Sequence, residues 1–326
     1  MSSKSQQDVA PSTARPSSLR YKTEKRGIRY NIMLVGCSGL GRRTFINTLC
    51  EKEIIPPPTL EDPDMAHMVD PMKFNKYETQ MNEDGTNIFL TTVDTPGFGD
   101  GIDNESCFTQ LQEYIETQFD EVLLEESRIR RNAKYRDNRV HILLYFLTPT
   151  GHGLRELDIE IIKRLGHLVN IILIIGRADS FTTKEIASFK LSVMKDVVTY
   201  ELPIYNFAWD EEADPESQEE NQEIQAIVPF SVVGCDEVID ADFGSVRVRK
   251  YPWGTVEGIL FYPTSPSPFD NDEMSDFGLL RYILLNSHIS DFIDFTTNVL
   301  YEEYRTLKLN ENKDDESEDK EEEEEE

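Results

Sequence analysis

The segment 36–44, which reads Gly-Cys-Ser-Gly-Leu-Gly-Arg-Arg-Thr, constrains the fold of this chain more than any other stretch. It follows the apolar run Tyr30–Val35, which predicts a buried strand, and it leads into a predicted helix over 44–50. Gly36 and Gly41 have the spacing at which glycines let backbone N–H groups turn inward around a phosphate, at the positive end of a helix. The pattern therefore predicts a strand, a phosphate-binding loop (P-loop) and a helix in succession.

Two side chains depart from the usual P-loop pattern, in which a lysine and then a serine or threonine follow the second glycine. Arg42 stands at the lysine position and keeps the positive charge in a larger, planar group. Arg43 stands where a hydroxyl would hold Mg²⁺, and Thr44 lies about 100° further around the helix. We expect nucleotide binding that is weakened or independent of Mg²⁺. A vestigial loop that binds no nucleotide is the alternative.

Two further strand ends carry residues suited to a nucleotide. Asp94-Thr-Pro-Gly97 gives an Asp-x-x-Gly pattern, in which the aspartate contacts the magnesium shell and the glycine N–H meets the γ-phosphate. Another predicted strand ends in Arg177-Ala178-Asp179, where the carboxylate can accept two hydrogen bonds from guanine and the arginine stem can lie across the base. Three such motifs in this order predict a guanine-nucleotide domain.

Strand and helix patterns alternate along the chain, which predicts a three-layer αβα fold of the P-loop GTPase type with a mostly parallel sheet. A long loop is expected after Pro56, and the acidic segment 210–223 is interpreted as a surface loop. The predicted strands cover 30–35, 88–93, 141–147, 170–175 and 227–233. The predicted helices cover 44–50, 108–131, 156–165 and 184–198, and the last ordered part is a helical stretch over 276–309.

Composition excludes several classes of protein. The chain has 326 residues, with 62 acidic against 33 basic side chains and a net charge of −29, so we expect no nucleic-acid partner. Its four cysteines include no Cys-x-x-Cys pair, which argues against a zinc site or a disulfide framework. The longest apolar run, 171–175, is far shorter than the ~20 residues that span a bilayer. These features indicate a cytoplasmic protein.

The charge is also unevenly distributed. Residues 1–30 carry seven bases against two acids, and the N-terminal arm 1–27 is predicted to be flexible. Five of these bases lie in 20–29 and could give weak contact with an anionic membrane. The tail 310–326 is predicted to be disordered and acidic, with no coiled coil.

Together these motifs resemble the septin family of filament-forming P-loop GTP-binding proteins. The resemblance covers about residues 28–309, with a septin-specific part over about 245–309, and the Tyr-Pro-Trp-Gly segment is specific to septins among P-loop proteins. It rests on residues 36–45, on Val-Asp-Thr-Pro-Gly-Phe-Gly-Asp (93–100), on Gly-His-Gly-Leu (151–154), on Arg-Ala-Asp (177–179) and on Arg-Lys-Tyr-Pro-Trp-Gly-Thr-Val-Glu (249–257).

The resemblance implies a site for GTP or GDP, with the Mg²⁺ hydroxyl replaced at Arg43. His152 would reach the nucleotide of a neighbouring subunit, and Trp253, Phe292, Phe295 and Val299 would be interface residues; for these four, packing within the chain is the alternative. The implied nucleotide-binding residues are Gly36, Cys37, Ser38, Gly39, Leu40, Gly41, Arg42, Arg43, Thr44, Asp94, Gly97, Arg177, Ala178, Asp179, Gly234 and Arg249.

Departures from the family pattern bear on activity. Septins that hydrolyse GTP use a threonine between the P-loop helix and the next strand, and none occurs here between Thr59 and Thr79. We therefore expect no catalytic residue and no appreciable hydrolysis.

The resemblance implies a divergent subunit that joins other septins in hetero-oligomeric filaments or rings. It would act at division sites or under membranes, in cytokinesis, septum formation or spore formation. One alternative is a slow GTPase switch using Arg42 and Arg43. Another is a filament cap or adaptor acting through 210–223 and the tail, with a vestigial nucleotide site.

Overall fold

The computed structural model describes residues 27–56, 74–83, 85–99, 104–130, 132, 135–208, 215–235, 237–241, 244–251, 254–257 and 275–310. Trp253 lies outside these described residues, as do most of the predicted basic arm and nearly all of the predicted acidic tail. No helix within the described ranges is long and apolar enough to cross a membrane.

A six-stranded sheet forms the centre of the domain. Its strands are β1 Ile28–Gly36, β2 Asn75–Glu83, β3 Thr86–Asp94, β4 Ile142–Leu147, β5 Asn170–Ile175 and β6 Phe230–Ser231. The order is β2–β3–β1–β4–β5–β6; β2 is antiparallel to β3, and the other neighbours are parallel. The carboxyl ends of β1, β3, β4 and β5 therefore meet at one edge of the sheet, where ligands of such folds bind.

Helices cover both faces of this sheet. They are α1 Arg42–Leu49, α2 Glu105–Ser127, α3 Glu156–Leu165, α4 Thr183–Thr199, α5 Pro215–Ile227, α6 Phe277–Tyr282 and α7 Ile289–Phe295. Turns of π-helix follow α6 at Ile283–Ser287 and α7 at Thr296–Leu300, and the helix continues over 301–310. A second, antiparallel sheet holds β7 Glu237–Ala241, β8 Gly244–Tyr251 and β9 Gly254–Glu257.

The central strands are buried on both faces because their side chains alternate between two hydrophobic clusters. In β4, Leu144 and Phe146 join the cluster that contains α1 and α6, whereas Tyr145 and Leu147 join the cluster that contains α2 and α3. A parallel sheet between two helix layers has no polar face, which explains the unbroken apolar sequences of β4 and β5. The predicted three-layer αβα architecture is confirmed.

The structure corrects three local predictions. The predicted long loop contains β2, whose polar sequence gives little signal because this edge strand is half-exposed along its length. The strand predicted over 227–233 is longer than the observed one. Ile227 is the last residue of α5, and β6 covers only Phe230–Ser231. The acidic segment 210–223, interpreted as a surface loop, is helical from Pro215, and Ile224 on that helix is buried in the core.

Two tyrosines tie the C-terminal helix to α2. The hydroxyl of Tyr301 donates to Glu126 Oε2 at 2.7 Å, and that of Tyr304 donates to Asp120 Oδ1 at 2.7 Å. The ring of Phe119 packs against both tyrosine rings, with centroids 5.8 and 5.2 Å apart. The helical stretch predicted to end at 309 is confirmed, and it forms part of the domain core.

A buried arginine connects this C-terminal element to the P-loop helix and the edge strand. Arg281 Nη2 lies 2.5 Å from Glu83 Oε1 and 3.2 Å from Glu51 Oε1, and Nε lies 3.4 Å from the carbonyl oxygen of Leu49. The side chains of Arg281 and Glu83 are 9% and 13% exposed, whereas that of Glu51 is 53% exposed, so the pair with Glu83 is the more buried of the two.

Replacing Glu83 by Ala should lower the free energy of unfolding by about 2 kcal/mol, because Arg281 loses its shorter and more buried carboxylate contact and keeps the more exposed Glu51. Urea denaturation of the full chain measures this change. Glu302→Ala removes an exposed partner of Arg305 and is the matched control, with an expected loss of about 0.5 kcal/mol or less. Equal losses for the two variants would contradict the prediction.

A buried histidine gives the fold a dependence on pH. His141 Nδ1 accepts a hydrogen bond from the backbone N–H of Asn31 at 3.0 Å, and its ring stacks on Tyr30. Burial lowers the pKa of His141 from 6.5 to about 4. The unfolded histidine takes up a proton below pH 6.5 while the folded one remains neutral, so the stability it contributes falls between pH 6.5 and 4.

We expect His141 to account for a loss of about 2 kcal/mol in the free energy of unfolding between pH 7 and pH 5. His141→Asn keeps an acceptor for Asn31 but cannot titrate, so its loss over this range should be smaller by that amount. The exposed His167→Asn should behave like the parent chain. Urea denaturation at both pH values makes the comparison, and an unchanged pH dependence in His141→Asn would refute it.

Candidate nucleotide-binding site

The P-loop, residues 36–44, joins β1 to α1 and forms an open backbone cradle. Gly39 and Gly41 have left-handed φ angles of 78° and 82°, and a Cβ added at either would meet nothing within 4 Å. Gly41 directly precedes α1, whose first N–H groups have no acceptor within the helix. An open loop against these donors suits a phosphate, as the sequence predicts.

The segments after β3 and β5 approach the P-loop so closely that only glycine fits. A Cβ on Gly97, after β3, would lie 2.1 Å from Ser38 Oγ. A Cβ on Gly176, after β5, would lie 2.6 Å from the carbonyl oxygen of Leu40. Cys37 also forms an isolated parallel bridge with Phe98. The three motifs found in the sequence therefore converge in the fold.

The guanidinium of Arg42 packs against the ends of β1 and β3. Its Nη1 donates to Thr95 Oγ1 at 3.1 Å and lies 3.5 Å from the carbonyl oxygen of Leu34. The side chain is buried, and this burial lowers the pKa of Arg42, although the nearby Asp94 opposes the shift. The residue at the lysine position is thus held inside the protein by neutral acceptors.

Arg43 takes a different position, at the surface of the site. Its Nε donates to Asp94 Oδ2 at 3.1 Å, and the side chain is 45% exposed, whereas that of Asp94 is 3% exposed. Asp94 Oδ1 is buried and has no hydrogen-bond partner among the described residues. The carboxylate expected to contact a magnesium shell is therefore paired with an arginine of the same chain.

The residues predicted to bind guanine lie after β5 and β6. Arg177 is exposed with a left-handed φ of 55°, and the N–H of Ala178 donates to the carbonyl oxygen of Val232 at 3.1 Å. Asp179 follows, half-buried, in a 3₁₀ turn over Ala178–Ser180. These bonds fix the turn that carries Asp179 to the segment after β6.

Gly234 and Arg249 lie next to each other. A Cβ on Gly234 would lie 3.0 Å from Thr44 Cγ2, and Arg249 Nη1 lies 3.4 Å from the carbonyl oxygen of Gly234. Arg249 belongs to β8, so the second sheet reaches the P-loop helix through this glycine. The structure therefore brings together all the stretches that hold the predicted nucleotide-binding residues.

His152 is exposed on the loop between β4 and α3. The N–H of Leu154 in this loop donates to Asp196 Oδ2 at 2.9 Å, which ties the loop to α4. A Cβ on Gly151 would lie 4.0 Å from Phe181 Cε1, just after the turn that carries Asp179. The loop of His152 thus borders the turn that carries Asp179.

Arg155 is a residue of the site that sequence reasoning missed. Its Nε and Nη2 donate to the two oxygens of Asp158, at 2.9 and 2.7 Å, and Nη2 also contacts Cys37 Sγ at 3.2 Å. The Tyr145 hydroxyl donates to the same carboxylate at 2.8 Å. The hydrogen bonds with Asp158 raise the pKa of Arg155. The sequence signal for this pair was an arginine followed three residues later by an aspartate at the start of a predicted helix.

The interface residues differ in burial. Phe292 is fully buried and packs on Tyr205 and Phe207, so it belongs to the core of this chain. Phe295 and Val299 are half-buried on the same helical stretch. Trp253 lies outside the described residues, so its predicted role remains a prediction.

The fold and its converging loops define a nucleotide-binding protein of the P-loop class. Comparison with known proteins then gives the family, because residues 26–318 match the sequence model of the Septin family. The chain belongs to the septin family, which confirms the resemblance drawn from the motifs.

Individual relatives agree with this assignment. The chain is 47% identical over 291 residues to "Septin homolog spn3" of Schizosaccharomyces pombe, covering 89% of this chain and 75% of that protein. It is 43% identical over 292 residues to "Cell division control protein 11" of Saccharomyces cerevisiae, covering 88% and 68%. The crystal structure of Cdc11 from Saccharomyces cerevisiae aligns with a TM-score of 0.56 at 34% identity, covering 86% of this chain and 99% of that one.

Replacing Arg155 by Gln should expose Cys37 to alkylation, because the guanidinium contacts its thiol and Asp158 holds it there. The buried Asp158 would lose its guanidinium partner and keep the Tyr145 hydroxyl and the backbone N–H of residue 155 as donors, so we also expect a loss of about 2 kcal/mol in the free energy of unfolding. Mass spectrometry after maleimide treatment measures modification of Cys37. Arg164→Gln removes two surface ion pairs, with Glu105 of α2 and Glu160 of α3, and should change neither quantity appreciably. Unchanged Cys37 labelling in Arg155→Gln would refute the role of Arg155.

Proposed function

We propose that this chain is a septin subunit that assembles with other septins into hetero-oligomeric filaments or rings at division sites. Membership of the septin family supports this role, as does the likeness to a relative named for cell division control. In this role a bound guanine nucleotide stabilises the surface against the next subunit and is not consumed. The exposure of His152, on the loop beside the Asp179 turn, supports a contact with a neighbouring subunit.

The open P-loop cradle carries the nucleotide part of the proposal. Gly39 and Gly41 have left-handed conformations, and no atom lies within 4 Å of a Cβ added at either. The strand ends that carry Asp94, Gly97 and Asp179 converge on this loop. GTP or GDP is the ligand that fits the predicted guanine contact of Asp179. We expect weaker binding than in a site with the usual lysine and hydroxyl, because Arg42 is bonded to Thr95 inside the protein.

Hydrolysis is not part of the proposed role. Arg43 provides no hydroxyl for Mg²⁺, and Asp94 already accepts a hydrogen bond from Arg43 Nε. The stretch without the expected threonine overlaps residues 57–73, which lie outside the described part of the chain. We expect this subunit to bind its nucleotide without hydrolysing it. A slow GTPase switch, in contrast, would convert GTP to GDP.

A filament cap or adaptor with a vestigial nucleotide site is the second candidate. The observation that favours it is the Arg43–Asp94 pair, because the site balances one of its own charges without a ligand. Membrane contact of such a subunit would come mainly through its partners, and a place at spore membranes is a further hypothesis. The nucleotide and mixing experiments below test the cap with a vestigial site.

The purified full chain should release about one guanine nucleotide per chain on denaturation if the cradle works as proposed. Ion-exchange chromatography of the supernatant identifies the nucleotide and gives its stoichiometry. Incubation with GTP should produce no GDP above a nucleotide-free control. Sustained turnover would favour the slow GTPase switch, and an empty site would favour the vestigial one.

Mixing with other septins tests the filament role separately. Longer filaments in electron micrographs would support a subunit that joins at two surfaces. Shorter filaments would indicate a cap, whatever the nucleotide content.

A further inference from the structure

We propose that Arg43 is the resident cation of the phosphate site and binds the nucleotide phosphates in the place of Mg²⁺. This inference rests on the nucleotide binding proposed above, and it concerns the charge that balances the phosphates. It depends on the position of the Arg43 guanidinium against Asp94, which the sequence motifs alone do not give.

The residues present do not fit a magnesium ion. Mg²⁺ requires octahedral oxygen ligands at about 2.1 Å, and a P-loop supplies one of them as a hydroxyl at the position of Arg43. A guanidinium has no acceptor atom. Its Nε already lies 3.1 Å from Asp94 Oδ2, on the carboxylate that would meet the metal shell. The described residues contain no group of three or more His, Cys, Asp or Glu that could hold a metal.

The same pair orients Arg43 for a phosphate. Asp94 engages Nε, and neither Nη group has an acceptor within the described residues. The two Nη groups of arginine form a rigid fork that matches two phosphate oxygens. Since Arg43 lies in the first turn of α1 and is 45% exposed, this fork is accessible beside the N–H groups of the cradle.

Asp94 is the positioning residue in this arrangement. The Asp94 side chain is only 3% exposed, so solvent screens its attraction to the Arg43 guanidinium very little. Its second oxygen, Oδ1, is buried without a partner among the described residues, which is a costly state for an acceptor. A water molecule held beside the nucleotide phosphates can donate the missing hydrogen bond to Asp94 Oδ1.

The two arginines of the loop therefore differ in function. Arg42 bonds to Thr95 and lies against Leu34, and it supports the ends of β1 and β3. Arg43 is held through Nε by Asp94, and its two Nη groups have no acceptor in the part of the chain that the structure describes. The cation that replaces the metal is the residue at the hydroxyl position, and the one at the lysine position is structural.

The test compares nucleotide affinity with and without magnesium. The full chain, freed of bound nucleotide, is titrated with a fluorescent GDP analogue in excess Mg²⁺ and in excess EDTA at matched ionic strength. The parent chain should give the same dissociation constant in both buffers. Arg43→Ser should bind about tenfold or more weakly in EDTA, because it loses a charge-assisted bidentate contact, and Mg²⁺ should restore part of this loss.

Two variants control for unfolding and for general charge effects. Arg43→Lys keeps the charge without the fork, so it should bind more weakly than the parent chain and equally in both buffers. Arg136→Ser removes an arginine of similar exposure that pairs with Glu78, and it should leave the affinity unchanged. Thermal unfolding of each variant verifies that it is folded.

The outcomes separate this inference from the proposed function. A parent chain whose affinity falls in EDTA, or an Arg43→Ser variant that binds as tightly as the parent in EDTA, would overturn the role of Arg43 while leaving a nucleotide site. A parent chain that binds the analogue in neither buffer would overturn both the nucleotide site and the role of Arg43. The mixing experiment with other septins would still test the filament role.

Discussion

The parallel pairing of β1 with β3 and β4 is the constraint on which the rest of the structure depends. It aligns Leu34 with Asp94 and Gly36 with Phe146, so the loops after these strands leave the sheet at the same edge. Both faces of the strands are covered by helices, which leaves this edge as the place where binding groups can be exposed. The motifs that begin at Gly36, Asp94 and Arg177 are far apart in the chain, and they therefore meet around the P-loop.

Charge around this loop is arranged differently from the usual P-loop pattern. Arg42 and Arg43 are adjacent, yet one side chain is buried against neutral acceptors and the other pairs with a carboxylate at the surface of the site. Helix geometry accounts for the difference, because consecutive residues in the first turn of α1 point about 100° apart. The loop keeps the left-handed glycines and the open space of a phosphate cradle, and an arginine stands at the position where a P-loop has a hydroxyl.

The rear of the site is built from a network that links the P-loop to the loop of His152. Arg155 contacts Cys37 and is held by Asp158, and Leu154 in the same loop is held by Asp196. These bonds tie the loop that carries the exposed His152 to α4 and to the P-loop. The C-terminal helix has a different kind of support, since Phe292 is buried in the core and leaves the half-buried Phe295 and Val299 nearer the surface.

The sequence alone determined the αβα fold, most helix and strand positions and the septin family, because long apolar runs, glycine spacing and strand-end motifs are local signals. It gave little indication of β2 or of the helical part of the acidic segment, because a polar edge strand and an acidic helix have weak periodicity. Only the tertiary structure decided the pairing of Arg43 with Asp94 and of Arg155 with Asp158 and Cys37. Most of these contacts join residues far apart in the chain, and their geometry depends on strand register and side-chain packing, which no sequence pattern specifies.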